Sequence, residues 1–99
     1  MSERVIRHVV ISGRVQGVGY RDWTRHVARS RGIEGWVRNR NDGAVEAIFA
    51  GSQDAVAGML AACKNGPPSS RVESIEDREA TEAELDLRGE KTFPILRTV

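Results

Sequence analysis

The sequence predicts an α+β fold: a two-layer sandwich of order βαββαβ, closed by one short terminal strand. Three observations carry that prediction. Apolar alternation marks four strand segments, apolar stripes at helical spacing mark two helices between them, and glycine-rich breaks separate the two patterns. The first strand runs from about Arg4 to Val15, with Val9, Ile11 and Val15 on one face. After a glycine loop the first helix spans about Arg21 to Arg31; Trp23 and Val27 point inward and Gly32 supplies the stop. The second strand covers about Glu34 to Arg40, Asn41-Asp42-Gly43 is a hairpin turn, and the third strand follows from Ala44 to Ala50. Ser52 is the N-cap of the second helix, whose stripe is Val56, Met59, Leu60 and Cys63 and whose end is Gly66-Pro67-Pro68. The fourth strand runs from about Arg71 to Glu79, and its broken alternation predicts a bulge or a frayed end. Residues 80–91 read as a polar, acidic loop. Thr92 to Arg97 reads as a last short strand, held to an edge because Pro94 has no N–H for a central ladder.

This order is that of a ferredoxin-like sandwich, a mostly antiparallel sheet with two helices on one face and a short C-terminal edge strand. In such a sheet the first two strands are parallel, with the third between them. Their carboxyl ends share one edge, so Arg38, Asn39 and Arg40 come toward the loop that follows the first strand.

Ninety-nine residues, 39% hydrophobic and 29% charged, make one domain over 1–99. No apolar run approaches the ~20 residues of a membrane span. Met1-Ser2-Glu3-Arg4 leads straight into a strand, without the pattern of a signal peptide, so the expected location is cytoplasmic. The single Cys63 excludes an internal disulfide and a cysteine-based metal cluster, and its place on an apolar stripe predicts a buried, inert thiol. His8 and His26 do not form a metal pair, and the acids from Glu73 to Asp86 read as a solvated face. The expectation is therefore no metal and no cofactor, in a monomer with no membrane or nucleic-acid partner. Net charge of +1 hides an asymmetry: residues 1–40 hold nine Lys/Arg against three Asp/Glu, and residues 41–99 hold six against eleven.

The segment Gly13-Arg14-Val15-Gln16-Gly17-Val18-Gly19-Tyr20-Arg21 carries the chemistry. Gly17 and Gly19 let the backbone curl at positive φ and turn successive N–H groups inward. The first turn of the following helix adds unpaired N–H groups and the positive end of a dipole. Arg21 adds a planar, permanently charged fork suited to phosphate oxygens. A cation at a helix N-terminus is otherwise unfavourable, which itself argues for an anionic partner. The candidate phosphate cradle is thus Gln16, Gly17, Val18, Gly19, Tyr20 and Arg21. No Lys-Ser or Lys-Thr follows the glycines, so the loop is not a P-loop.

The cradle holds no nucleophile, and Asp22 stands alone where magnesium would need a cluster. Arg21 and the loop amides can still bind a phosphoryl group and stabilise its charge in the transition state. Asn39 can hold a water in line with phosphorus but is a poor base, so the leaving group must depart without a proton. A carboxylate does. The set points to hydrolysis of a mixed carboxyl-phosphate anhydride without a metal.

Gly13 through Arg21, then Gly35-Trp36-Val37-Arg38-Asn39, Asp42-Gly43 and Gly66-Pro67-Pro68, in that order, resemble the acylphosphatase family over about residues 5–97. The resemblance implies the same sandwich and cofactor-free hydrolysis of small acyl phosphates to a carboxylate and inorganic phosphate. It implies that Arg21 binds and neutralises the phosphate, that Asn39 orients the attacking water, and that the amides of Gln16 to Arg21 form the cradle. Tyr20 stands where the family usually has phenylalanine, which keeps the aromatic packing and adds a hydroxyl.

Two other readings compete. A non-catalytic phosphate- or carbamoyl-phosphate-binding module would use the same cradle, as similar domains do inside larger carbamoyl-transfer proteins. RNA binding would suit the sheet and the arginines, but it lacks the pair of base-stacking aromatics on central strands.

Overall fold

Alternation decides which way β1 (Arg4–Arg14) faces: Val9 and Ile11 are fully buried under the helical layer, while His8, Val10 and Ser12 lie on the opposite face. The structure, a computed structural model, describes residues 3–99, so Met1 and Ser2 of the N-terminal lead-in lie outside the described residues. The chain continues through α1 (Tyr20–Ser30), β2 (Glu34–Asn39), β3 (Val45–Ser52), α2 (Gln53–Asn65) and β4 (Arg71–Glu79). The sheet order is β2-β3-β1-β4, and every neighbouring pair is antiparallel. The two outer partners of β3, β1 and β2, therefore run parallel to each other, as the crossover through α1 requires. The expected bulge is a register shift in the β1–β4 pair between Ser12 and Gly13.

Helices α1 and α2 cover one face. Between them and the sheet lies the main core, in which Val9, Ile11, Val37, Phe49, Met59 and Cys63 are fully buried. Each such side chain contributes roughly 1.5–3 kcal/mol through the apolar area it removes from water. Ser52 caps α2 as expected, its Oγ accepting the Ala55 N–H at 3.1 Å.

Four expectations change on contact with the structure. The most buried residues of α1 are Tyr20, Thr24 and Ala28, whereas Trp23 and Val27 are half-buried flanks. Small residues at the centre of the stripe let the helix sit close to the sheet, and Thr24 hides its hydroxyl by donating to the Tyr20 carbonyl at 2.7 Å. Element ends differ by a residue or two; β3 runs on to Ser52, which is both its last residue and the cap of α2.

Residues 80–91 are not a plain loop. Thr81 and Glu84 form a capping box that starts the short α3 (Glu82–Leu85), and a 3₁₀ turn follows at Asp86–Arg88. The cause is tertiary: the outer face of the sheet carries Trp36, Ile48 and Ala50, and Leu85 closes over them in a second, smaller core. The Trp36 indole N–H donates to the Glu84 carbonyl at 2.8 Å and fixes the segment there.

The terminal segment lies at the edge, beside β2, but as a single parallel bridge between Val37 and Ile95 instead of a full strand. Its bonds are Gly35 N–H to Thr92 O (3.0 Å), Val37 N–H to Pro94 O (3.2 Å) and Leu96 N–H to Val37 O (2.8 Å). Pro94 supplies only its carbonyl, which is all an edge position asks of it. Phe93 is fully buried and stacks on Phe49 with ring centroids 6.0 Å apart. Among the described residues no helix is long and apolar enough to cross a membrane.

Candidate active site

The loop between β1 and α1 turns twice through left-handed backbone, at Gly17 (φ 73°) and Gly19 (φ 80°). Gly19 is the N-cap of α1 and offers no side chain to the helix terminus. Its carbonyl accepts the Trp23 N–H at 3.1 Å, which closes the first helical turn. Among the described residues no backbone carbonyl accepts the N–H groups of residues 16–22. Open backbone donors and the dipole end of α1 therefore gather at one spot, the arrangement that favours an anion.

Beside that loop is a cleft of about 200 Å³, lined by Gly17, Gly19, Arg21 and Asp22 from one side and by Asn39 and Ile95 from the other. Arg21 occupies the second position of α1, where a cation opposes the dipole. Asp22 next to it is engaged by Arg25 at 3.2 Å. The ion pairs among the described residues do not include Arg21. Its charge is left to the cleft.

Asn39 arrives from the end of β2, opposite Val45 of β3 in the ladder. The terminal segment brackets its backbone: the Asn39 carbonyl accepts the Val99 N–H at 3.2 Å, and the Asn41 N–H donates to the Val99 carbonyl. The side-chain Oδ1 of Asn39 is buried and has no donor among the described residues. Leaving such an acceptor unmet costs about 1–3 kcal/mol, so a donor from water or ligand belongs in that part of the cleft.

The other cradle residues divide. Gln16 and Val18 do not line the cleft with their side chains. Val18 packs against the main core, and Gln16 ties the loop to the β2–β3 hairpin. Its Nε2 donates to the carbonyls of Arg40 (2.8 Å) and Ala44 (2.9 Å). Those two residues flank the turn, in which Gly43 takes φ 96° and the Asp42 carboxylate accepts the Ala44 N–H. Gln16 thereby couples the glycine loop to the strand end that carries Asn39, a role sequence reasoning did not find; a long amide beside two curling glycines was its one signal. Tyr20 is a floor residue: its ring is buried and its hydroxyl donates to the Cys63 carbonyl at 2.6 Å. Burial pushes its phenol well above the ordinary range, and burial likewise pushes the Cys63 thiol up to about 11. Neither group ionises near neutral pH, and the inert buried thiol expected at Cys63 is what the structure has. The two tryptophans pack against neighbours: Trp23 tilts onto Tyr20 (centroids 5.3 Å apart) and Trp36 lies beneath the Arg38 guanidinium at 4.6 Å.

His8 and His26 are well separated in role. His26 is exposed, whereas His8 joins Glu46 at 2.7 Å on the outer face of the sheet. Among the described residues no group of three His, Cys, Asp or Glu side chains is placed to hold a metal ion.

The chain is similar to known proteins of one family. The family model described as Acylphosphatase matches residues 7–94. A Bradyrhizobium diazoefficiens protein named Acylphosphatase is 57% identical over 97% of this chain and 98% of its own. One of the same name from Nitrobacter hamburgensis is 54% identical over 96% and 97%. Among solved structures, acylphosphatase from Bacillus subtilis superposes with a TM-score of 0.81 at 37% identity, covering 93% of this chain and 98% of that one. Full-length HypF in its phosphate- and nucleotide-bound form gives 0.82 at 25% identity, covering 99% of this chain but 12% of HypF.

Proposed function

Because the chain belongs to the acylphosphatase family, we propose that the cleft between the glycine loop and Asn39 is where it hydrolyses its substrate, with Arg21 and Asn39 as the catalytic residues. The chain is an enzyme of acyl phosphate hydrolysis, releasing a carboxylate and inorganic phosphate. The phosphoryl group sits in the cradle of backbone amides from Gln16 to Arg21, and the Arg21 guanidinium neutralises its charge. Asn39 accepts a hydrogen bond from a water through Oδ1 and holds it in line with phosphorus. The water oxygen bonds to phosphorus as the bond to the acyl oxygen breaks; that electron pair leaves on the carboxylate, and the water's proton ends on the phosphate product. The leaving carboxylate needs no proton, which suits a cleft whose organising side chain is an amide. Positive charge comes from Arg21 and the helix terminus, and the reading needs no metal and no cofactor.

The observation that carries this proposal is the buried, unpartnered Oδ1 of Asn39 in the same cleft as Arg21, Gly17 and Gly19. The test is hydrolysis of benzoyl phosphate in excess chelator. Wild type is expected to turn over with chelator present. Arg21→Ala is expected to lose about a hundred- to a thousandfold in kcat/KM together with inhibition by inorganic phosphate. Asn39→Ala is expected to lose kcat while phosphate still inhibits. Turnover abolished by chelator, or retained in Asn39→Ala, overturns the assignment.

A second reading keeps the cradle and drops the chemistry: a phosphate-binding module, favoured by the likeness to part of a phosphate-bound protein. Phosphate binding without turnover in wild type would select it. The proposal extends to a single domain acting as a monomer in the cytoplasm, on a small molecule and without nucleic acid. A monomer is supported by Leu87 and Val99 being the exposed large apolar residues among those described. A reducing compartment suits the one sheltered thiol.

A further inference from the structure

An acyl phosphate carries its carbon chain one oxygen away from phosphorus. A phosphoryl group seated in the cradle therefore presses its acyl group against the remaining walls of the same cleft. Three apolar side chains line that cleft among the described residues: Val15, Tyr20 and Ile95. Val15 and Tyr20 are each 1% exposed and have almost no surface to offer. Ile95 is half-buried, packed on the main core at one side and open to the cleft at the other. Its position is fixed from both ends, because Pro94 O accepts from Val37 and Leu96 N–H donates to the same residue. Leu96 packs in the second core with Trp36 and Ile48, on the other face of the sheet, while Ile95 stays on the helical side.

We propose that Ile95 is the acyl-group contact and sets specificity, selecting acyl phosphates whose acyl group is apolar, aromatic or branched, over small ones. The inference rests on the cleft being the acyl phosphate site. Ile95 acts here as an apolar platform and takes no part in the chemistry at phosphorus.

The test compares kcat/KM for benzoyl and acetyl phosphate in wild type, Ile95→Ala and Ile95→Thr. Inhibition by inorganic phosphate, which has no acyl group, reports whether each variant keeps its cradle. The benzoyl-to-acetyl ratio is expected to fall about tenfold in Ile95→Ala, the effect of ~50 Å² of apolar contact returned to water. Ile95→Thr keeps the branched shape and is expected to give a smaller fall in the same direction, should the alanine variant not fold. A ratio unchanged in both Ile95 variants while phosphate still inhibits overturns the inference and leaves the catalytic reading standing. Titration with benzoylphosphonate, which cannot be hydrolysed, decides the point without turnover. Binding tighter than inorganic phosphate in wild type and weakened in Ile95→Ala supports it even where Asn39 has been assigned wrongly, and equal binding by wild type and Ile95→Ala overturns it.

Discussion

Tyr20 belongs by number to the cradle and by packing to the core. Its backbone N–H lies at the first position of α1, among the free donors of the cleft, while its ring and hydroxyl point down onto α2. The hydroxyl meets the Cys63 carbonyl, in the last turn of α2, whose final carbonyls have no helical partner of their own. A phenylalanine here would keep the ring contacts with Trp23 and leave that carbonyl without its buried donor. Tyr20→Phe is therefore expected to lower stability by about 1 kcal/mol, or a melting temperature fall of about 4–8 °C for a domain this size. Thermal unfolding followed by circular dichroism measures it, and an unchanged midpoint would show that the hydroxyl is replaced by solvent at no cost. Asn39 and Arg21 differ from Tyr20 in kind: among the described residues one is a buried acceptor without a donor and the other a cation in no ion pair. Each is unfavourable alone, and under the proposed function a phosphate with its attacking water would satisfy both.

Two glycines show how differently one residue type serves an element. Gly19 caps α1 at φ 80° with nothing within 4 Å of where a Cβ would stand, so its constraint is the backbone conformation. Gly35, inside β2, has φ 151° and would put a Cβ 1.8 Å from the Ile48 carbonyl oxygen and 3.1 Å from the Phe93 ring. Gly19→Ala is expected to cost about 1 kcal/mol and to weaken inhibition by phosphate. Gly35→Ala forces strand β3 and the terminal segment apart and is expected to cost at least ~3 kcal/mol, leaving little folded protein. Urea titration of both variants checks the order; Gly35→Ala as stable as Gly19→Ala would mean that the strand shifts freely. The four strands, both long helices and the hairpin were legible in the sequence because each rests on a local period or a turn residue. The pairing of Arg21 with Asn39 was legible too, since parallel β1 and β2 place their carboxyl ends on one edge whatever the side chains. The short α3 was missed although Thr81-x-x-Glu84 spells its capping box. Its reason to exist is the outer-face cluster of Trp36 and Ile48, which only the folded sheet assembles. Ile95 as a wall of the cleft, and the tie from Gln16 to the hairpin, were missed for the same reason: each acts across a contact distant in sequence.

Across the whole molecule, the basic first half and the acidic second half interleave instead of forming opposed fields. Arg4 pairs with Glu82, Arg7 with Asp77, Arg38 with Glu46 and Arg40 with Asp42, which takes these four arginines out of the long-range field. Glu46 is the least exposed of these acids and holds the outer face together, bonded by Arg38 at one oxygen and His8 at the other, both at 2.7 Å. Burial alone would push its carboxyl up; the hydrogen bonds and charges of Arg38 and His8 outweigh that and hold it below the usual 4.5. Glu84 is also lowered, to about 2, chiefly by its hydrogen bond from Arg78 and then by the Thr81 backbone. Both carboxyls are thus more acidic folded than unfolded, so the unfolded chain binds more protons between those values. Their contribution is complete above about pH 4.5 and is lost as pH falls toward and through the lowered folded values. Stability to urea is expected to be flat with respect to these two groups from pH 7 down to about 5, then to fall steeply toward pH 2. Glu46→Gln keeps the shape and removes the titrating group. It is expected to cost about 1–3 kcal/mol at pH 7, where Arg38 and His8 lose their carboxylate, and to show a shallower acid limb. The two curves should approach each other as pH falls through the lowered folded value of Glu46, where the wild-type carboxylate takes up its proton. Parallel curves across the whole range would mean that Glu46 contributes packing alone and that the acid limb belongs to other carboxylates.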